Sequence, residues 1–180
     1  MGQVTPMYMM FREARAFNAD LGAWDVGRVT SMFQMFAYLS AFNADLGAWD
    51  VGQVTTMADM FYGASAFNAD LGAWDVGQVT TMMYMFGFAS AFNADLGAWD
   101  VGRVTSMFQM FISASAFNQA LCWSHTGKPT TDMFVLSSGS ANANQSKCSC
   151  VRPRDLLHGS VLCVVLGRAV LGARQVGILL

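Results

Sequence analysis

Few residues of this chain combine the types and spacing that catalysis requires. The two histidines, His125 and His158, lie outside the repeating part of the sequence. Cys163 follows His158 by five residues, which is a weak signal for a cysteine nucleophile with a neighbouring base. The Val-Gly-Gln-Val-Thr-Thr stretches lack the second glycine and the lysine of a phosphate-binding loop. The sequence therefore predicts a protein that is not an enzyme.

Methionine and aspartate side chains recur at regular spacing, and each type raises the question of a metal site, copper(I) for methionine and calcium for aspartate. Repeated Met-x-x-Met could bind copper(I) through thioethers, but methionines at this spacing beside phenylalanine are typical of a core. Aspartates recur in pairs at Asp20 and Asp25, Asp45 and Asp50, Asp70 and Asp75, and Asp95 and Asp100. Carboxylates stacked in register repel unless they accept backbone hydrogen bonds or hold a cation. We favour turn capping, keep calcium as the alternative and expect no cofactor.

A repeat of 25 residues is the strongest feature of the sequence. Tryptophan marks it at Trp24, Trp49, Trp74 and Trp99, and then one residue early at Trp123. Asparagine keeps the period without a break at Asn18, Asn43, Asn68, Asn93 and Asn118. We expect these asparagines to form a structural ladder, in which each amide bonds the backbone of adjoining units.

The spacing of apolar residues predicts the elements of each repeat. Met32, Met35 and Phe36 fall at i, i+3 and i+4, which indicates one face of a short helix capped by Thr30. The stretch from Asp45 to Val51 favours a tight turn and a short strand. One unit cannot bury its own apolar side chains, so the units must stack. We therefore predict an α/β solenoid of about five 25-residue coils, each a short helix, a turn and a short extended strand.

Side chains that differ between the copies define a candidate surface at positions 33, 34, 37 and 38 and their equivalents. Large and small residues alternate there, which fits internal packing of a large side chain into a neighbour's gap. The other hypothesis is an exposed stripe that binds a partner or a second copy. Its residues would be Phe33, Tyr38, Tyr62, Tyr84, Phe88, Phe108 and Ile112.

Composition supports a folded chain that does not bind nucleic acid. Hydrophobic residues make up 54% of the 180 residues and charged residues 12%, which is ample for a core. Residues 26–125 carry seven Asp against two Arg, and residues 126–180 carry six Lys or Arg against two Asp. Neither part is basic enough for a nucleic-acid footprint. Leu156 to Leu180 is apolar but interrupted by charge, so we expect no membrane span.

The ends of the repeat array suggest three regions. We assign 1–121 to the repeats, 122–150 to a capping coil with cysteines and 151–180 to an apolar tail that is helical or poorly ordered. No signal peptide precedes the first repeat, which begins midway and indicates a truncated start. In the capping coil, Cys122 could pair with Cys148 or Cys150 and stabilise the fold by about 3 to 4 kcal/mol. Free thiols in a reducing compartment are the alternative.

The motif V-T-x-M-x-x-M-F-x-x-A-x-x-F-N-x-D-L-x-x-W-D-V, from Val4 to about Phe117, resembles the BspA-like family of mycoplasma surface proteins. The resemblance implies a solenoid related to leucine-rich repeats, on a secreted or surface protein, with adhesion or ligand binding as its role. We therefore expect an extracellular or cell-surface repeat protein that binds a protein or a glycan. A self-assembling structural solenoid is the alternative, and a calcium-dependent module is a third, weaker one.

Overall fold

A computed structural model describes residues 6–119, 121, 123 and 132–137, together with the backbone of three strands near the end of the chain. From residue 6 to residue 119 the chain forms successive coils that stack in sequence order. Isolated parallel bridges hold each coil to the next at the same repeat position. They join Pro6 to Ser31, Ser31 to Thr56, Thr56 to Thr81 and Thr81 to Ser106.

The predicted helix is wrong, because the described residues contain no helix. Where it was expected, backbone N–H groups alternate between two kinds of partner. The N–H of Phe36 donates to the carbonyl of Met60 in the next coil at 2.9 Å, whereas the N–H of Met35 donates to Met32 at 3.2 Å. The first is a bond between coils and the second closes a tight turn. Three overlapping turns of this kind, closed by the N–H groups of Met35, Ala37 and Leu39, take the place of the helix.

The backbone angles explain why these turns cannot continue as a helix. Gln34 and Tyr38 have φ values of 53° and 64°, in the left-handed region, and the equivalent residues of the other coils share this conformation. Each left-handed residue is the third residue of a turn, as Gln34 is in the turn closed by Met35, and it ends the helical run. Its own N–H donates to the neighbouring coil, from Gln34 to Ala58 and from Tyr38 to Tyr62. Turns that close over three residues also bury side chains at i and i+3, so the apolar spacing imitated a helix.

The predicted strand in each coil is also wrong. The stretch from Asp45 to Val51 is a succession of turns and irregular backbone, with the N–H of Trp49 donating to the carbonyl of Leu46 at 3.1 Å. Between residues 6 and 119 the β-type pairing of coils is limited to the isolated bridges, and the other backbone-to-backbone bonds between coils are single hydrogen bonds, most of them from turn residues. The coils therefore stack as ladders of turns, and neither the α/β solenoid nor the leucine-rich-repeat-like architecture describes them.

Stacked rings form the centre of the core. Phe61 lies 3.9 Å from Phe67 of its own coil between ring centroids, and 5.5 and 5.6 Å from Phe36 and Phe86 of the coils on either side. Buried methionine, leucine, valine and tryptophan surround the rings, and no polar or charged residue is buried among the described residues. Burial of this much apolar surface is the main stabilising term of the stack.

Near the end of the chain, three strands form an antiparallel sheet in the order β1-β2-β3. They are β1 at Cys148–Val151, β2 at Leu162–Val165 and β3 at Arg168–Leu171. Cys150 pairs with Cys163, and Cys163 pairs with Val170. Strands β2 and β3 thus occupy part of the tail at 151–180, for which a helix was one expectation. The predicted domain boundaries stay predictions. Among the residues described, no helix is long and apolar enough to cross a membrane.

Candidate functional site

The positions that vary between copies lie together along the stack. We call this surface the variable face. It consists of Phe33, Gln34, Ala37 and Tyr38 and their equivalents Ala58, Asp59, Tyr62, Gly63, Met83, Tyr84, Gly87, Phe88, Phe108, Gln109, Ile112 and Ser113. The tight turns position it, because the same turn recurs in each coil and is bonded to its copy in the next.

Aromatic rings of the variable face contact each other across four coils. Tyr62 is at the centre, with ring centroids 5.3 Å from Tyr38, 5.3 Å from Phe88 and 6.0 Å from Tyr84. Tyr84 in turn lies 5.5 Å from Phe108. All four pairs are edge-to-face, the arrangement in which the positive ring edge meets the negative ring face. The rings therefore form one continuous group.

Large side chains of this face cover small ones in adjoining coils. A Cβ atom added to Gly87 would lie 2.9 Å from Cδ2 of Tyr62 and 3.1 Å from Cγ2 of Ile112. One added to Gly63, where φ is +70°, would lie 3.1 Å from Cδ1 of Tyr38. The geometry therefore contains the interlocking of large and small residues that the alternation suggested.

The same rings also face solvent. Tyr38, Phe88 and Phe108 are 39%, 44% and 36% exposed. The other residues proposed for the stripe are half-buried, namely Phe33, Tyr62, Tyr84 and Ile112. The structure thus places the candidate residues in a layer that packs internally and still presents ring surface outward.

A carboxylate lies among the rings, and sequence reasoning missed it. Asp59 occupies the repeat position of Gln34 and Tyr84, and its carbonyl accepts the N–H of Tyr62 at 3.1 Å. Burial raises the pKa of Asp59, partly offset by a side-chain hydrogen bond from Gln34 and by the charge of Arg12. The only signal in the sequence was an acidic residue in a column that holds Gln or Tyr in the following coils.

Arg12 and the phenol of Tyr62 lie close to the Asp59 carboxylate or to the other rings. The guanidinium carbon of Arg12 lies 5.9 Å from the centroid of the Tyr38 ring, within the range of a cation–π contact. Arg12 also forms an ion pair of 3.4 Å with Glu13. Burial first, and then the nearby Tyr38, Asp59 and Tyr84, raise the pKa of Tyr62. The face therefore combines negative charge, ring surface and one guanidinium supplied by the chain itself.

The repeated asparagines form a ladder along the stack. The side-chain Oδ1 of each one accepts the backbone N–H of the asparagine in the next coil, at 2.8 Å from Asn18 to Asn43 and 2.7 Å from Asn68 to Asn93. The same bond links Asn43 to Asn68 and Asn93 to Asn118. These side chains satisfy backbone groups between coils, which is a structural use of the amide.

A second ladder, which the sequence did not reveal, is made by tryptophan. The indole N–H of Trp49 donates to the carbonyl of Leu21 in the preceding coil at 2.9 Å. The same bond recurs at Trp74, Trp99 and Trp123. These indoles are nearly fully buried, so the bond satisfies a donor that would otherwise be costly to bury.

The paired aspartates cap the turns in which they lie. Oδ1 of Asp45 accepts the N–H of Gly47 at 2.8 Å, and Oδ1 of Asp50 accepts the N–H of Gly52 at 3.1 Å. The other pairs make the same bonds two residues on. Within the described part of the chain, no group of three or more His, Cys, Asp or Glu side chains is placed to hold a metal ion.

The candidate disulfide is not placed by the structure. Cys122 lies outside the described residues, and Cys148 and Cys150 are described only as backbone positions of β1. His125 and His158 also lie outside the described residues. The pairing of Cys122 with Cys148 or Cys150 stays a prediction.

These features define a tandem-repeat protein in which turn ladders carry a face of varying side chains. A family model described as "Mycoplasma protein of unknown function, DUF285" matches residues 1–71 and 40–149. The two overlapping matches cover well over half of the chain, and the chain belongs to this family. No curated protein and no solved structure matches it.

Proposed function

We propose that this chain is a non-enzymatic repeat protein whose variable face binds a protein or a glycan partner. The proposal rests on one observation, which is that the side chains that differ between coils and the exposed aromatic rings lie on the same face. Most positions at which the complete coils differ lie on the variable face, and Tyr38, Phe88 and Phe108 expose ring surface there. Exposed aromatic groups of this kind are typical of recognition surfaces.

On the other sides of the coil, many polar side chains are already hydrogen-bonded within the chain, so fewer polar atoms remain there for a partner. The asparagine ladder and the capping aspartates use their polar atoms on their own backbone. A column of threonines does the same, since Oγ1 of Thr80 donates to the carbonyl of Thr55 at 3.0 Å. A partner that distinguishes one coil from the next therefore meets most of the differences on the variable face. A second exposed column that differs between coils holds Arg28, Gln53, Gln78 and Arg103.

We also propose that the protein acts at the cell surface or outside the cell. This rests on the resemblance of the repeat motif to BspA-like surface proteins. Labelling intact source cells with a membrane-impermeant amine reagent tests it, since a surface protein reacts without lysis. A chain that is labelled only after lysis would contradict the proposal.

Substitutions already used by the repeat provide the test of binding. Phe88→Ser introduces the residue found at the equivalent Ser113, and Phe108→Ala introduces the residue of Ala58. The full chain and the double variant are compared on a glycan array and against a displayed peptide library. Ala73→Ser, at an exposed position away from the face, is the matched control. We expect selected ligands to bind the double variant at least about tenfold more weakly, corresponding to about 1.4 kcal/mol.

Equal binding by the double variant and the control would overturn the proposal. The packing hypothesis then remains, and it predicts a loss of stability without a loss of binding.

A self-assembling role is the second candidate, favoured by one observation. The rings of Tyr38, Phe88 and Phe108 expose apolar surface along the stack, and a second copy of the chain would bury that surface. Size measurement at several protein concentrations tests it, since growth into oligomers favours assembly and a constant monomer mass excludes it.

A further inference from the structure

We propose that the variable face contains a cation site that takes an arginine or lysine side chain from an extended basic segment of a partner protein. The site consists of the Asp59 carboxylate and the rings of Tyr38, Tyr62 and Tyr84, with Gln34 holding the carboxylate. The inference rests on the proposed function, because it assigns the partner chemistry of the same face.

The backbone brings these groups together in register. Gln34, Asp59 and Tyr84 occupy one repeat position in three successive coils, with φ values of 53°, 55° and 53°. The shared conformation sends the three side chains from the stack in a common direction, one coil apart. The Asp59 N–H donates to Met83 at 2.8 Å, which ties this position to the coil that carries Tyr84. Tyr62 closes the turn that Asp59 begins, and the Asp59 charge is close enough to help raise the pKa of the Tyr62 phenol.

The composition of this group suits a cation. Ring faces attract ammonium and guanidinium groups within about 6 Å of their centroids, and a carboxylate adds charge pairing. The chain supplies an example, because the Arg12 guanidinium lies 5.9 Å from the Tyr38 centroid and favours the charged form of Asp59. A second cation beside Tyr62 and Tyr84 would meet the same two attractions.

Asp59 differs from the other aspartates of the coils. Between residues 26 and 125, six of the seven aspartates bond to the N–H two residues on and thereby cap their own turns. Asp59 lies instead on the variable face, held by the Gln34 side chain and partly desolvated. A desolvated carboxylate is costly unless a positive charge offsets it, so a cationic partner gains more here than a neutral glycan.

The segment that supplies the cation should be extended. The rings follow one another along the stack from Tyr38 to Phe108, at centroid separations of 5.3 to 6.0 Å. An extended chain advances about 3.3 Å per residue, so alternate residues would pass successive coils. Between Tyr38 and Phe108 the variable face carries one carboxylate, at Asp59, and it would fix the register of the basic residue.

Two short peptides and two variants test the inference. The probes are acetyl-Gly-Arg-Gly-Arg-Gly amide and its neutral counterpart with Gln in place of Arg, titrated into the full chain while the tyrosine ring signals are followed by NMR. Asp59→Asn removes the charge from the face. Asp75→Asn removes the same charge from a capping position, where the amide oxygen of Asn can still accept the Gly77 N–H. We expect Asp59→Asn to weaken binding of the arginine peptide about fivefold or more, and Asp75→Asn to leave it within about twofold.

Three outcomes would overturn the cation site. Equal weakening by both variants would show general attraction to a negatively charged protein. Failure of the arginine peptide to shift Tyr62 and Tyr84 at millimolar concentration would show that no such site exists. Binding of the neutral peptide that equals that of the arginine peptide and is unaffected by Asp59→Asn would remove the cation site while leaving the proposed binding function intact.

Discussion

The indole N–H of Trp74 donates to the backbone carbonyl of Leu46 at 2.9 Å, so a side chain of one coil is bonded to the main chain of the coil before it. Trp74→Phe removes this bond and part of the buried ring surface. We expect unfolding by urea to show a loss of about 1 to 3 kcal/mol.

Trp24 provides the matched control for that variant, because it is 39% exposed and occupies the same repeat position. Trp24→Phe should cost less than half as much as Trp74→Phe. Equal costs would mean that the bond between coils contributes nothing to stability.

The asparagine ladder predicts a difference between two substitutions at one site. Oδ1 of Asn68 accepts the N–H of Asn93 at 2.7 Å, at an exposed position. Asn68→Ala removes the acceptor and should cost about 0.5 to 1.5 kcal/mol, measured by urea unfolding. Asn68→Asp keeps an oxygen in the same place and should retain most of the stability at neutral pH. An aspartate variant as unstable as the alanine variant would argue against the ladder.

The contact of Tyr62 with Gly87 predicts coupled effects of mutation. Gly87→Ala places a Cβ atom 2.9 Å from Cδ2 of Tyr62 and should cost about 1 to 3 kcal/mol through overpacking. In a Tyr62→Ala background the space is open on that side, and the cost should fall by half or more. A double-mutant cycle by thermal or urea unfolding measures this coupling. Additive effects would show that the two residues do not interlock.

The raised pKa of Asp59 predicts how stability depends on pH. Burial raises this pKa above its ordinary value of 3.8, so the folded state holds the proton more tightly than the unfolded state. Stability from this group is therefore greatest below pH 3.8 and is lost as pH rises through the folded pKa. Asp59→Asn, which has no such titration, should gain stability relative to the natural chain over that window and keep the gain at neutral pH.

Urea unfolding of both proteins from pH 3 to 8 checks the prediction. A constant difference between them would reflect only the preference of Asn for left-handed backbone, and a difference that shrinks as pH rises would have the wrong sign. A constant difference would place Asp59 in a more solvated position than the structure gives it, and a shrinking one would mean that Gln34 and Arg12 lower its pKa more than burial raises it.

The register of the stack could be predicted from the sequence, but the path of the chain within each coil could not. A strict spacing of 25 residues between asparagines is also the spacing of their hydrogen bonds, because one repeat makes one coil. The helix prediction failed since apolar spacing does not report φ. Gln34 and Tyr38 adopt left-handed φ angles that residues other than glycine seldom adopt, and neither residue type predicts such an angle.

The candidate site, like the fold, could be predicted only in part from the sequence. Comparison of the copies drew attention to the ring positions, because their side chains differ between otherwise identical coils and the repeat does not fix them. Asp59 was missed because its importance depends on groups of other coils that only the fold brings near it, namely the Gln34 side chain and the charge of Arg12. The tryptophan bonds were missed for a similar reason, since they join residues 28 apart such as Trp74 and Leu46.

The account rests on backbone bonds between consecutive coils, and the Phe61 N–H tests them most directly. The structure has it donating to the carbonyl of Met85, 24 residues ahead, at 2.9 Å. NMR scalar coupling across hydrogen bonds, measured on chain labelled with ¹⁵N and ¹³C, identifies the acceptor of this amide. We predict a coupling from the Phe61 nitrogen to the Met85 carbonyl carbon. A coupling to the Met57 carbonyl carbon, four residues back, would mean that this segment is a helix and would contradict the stacked turns.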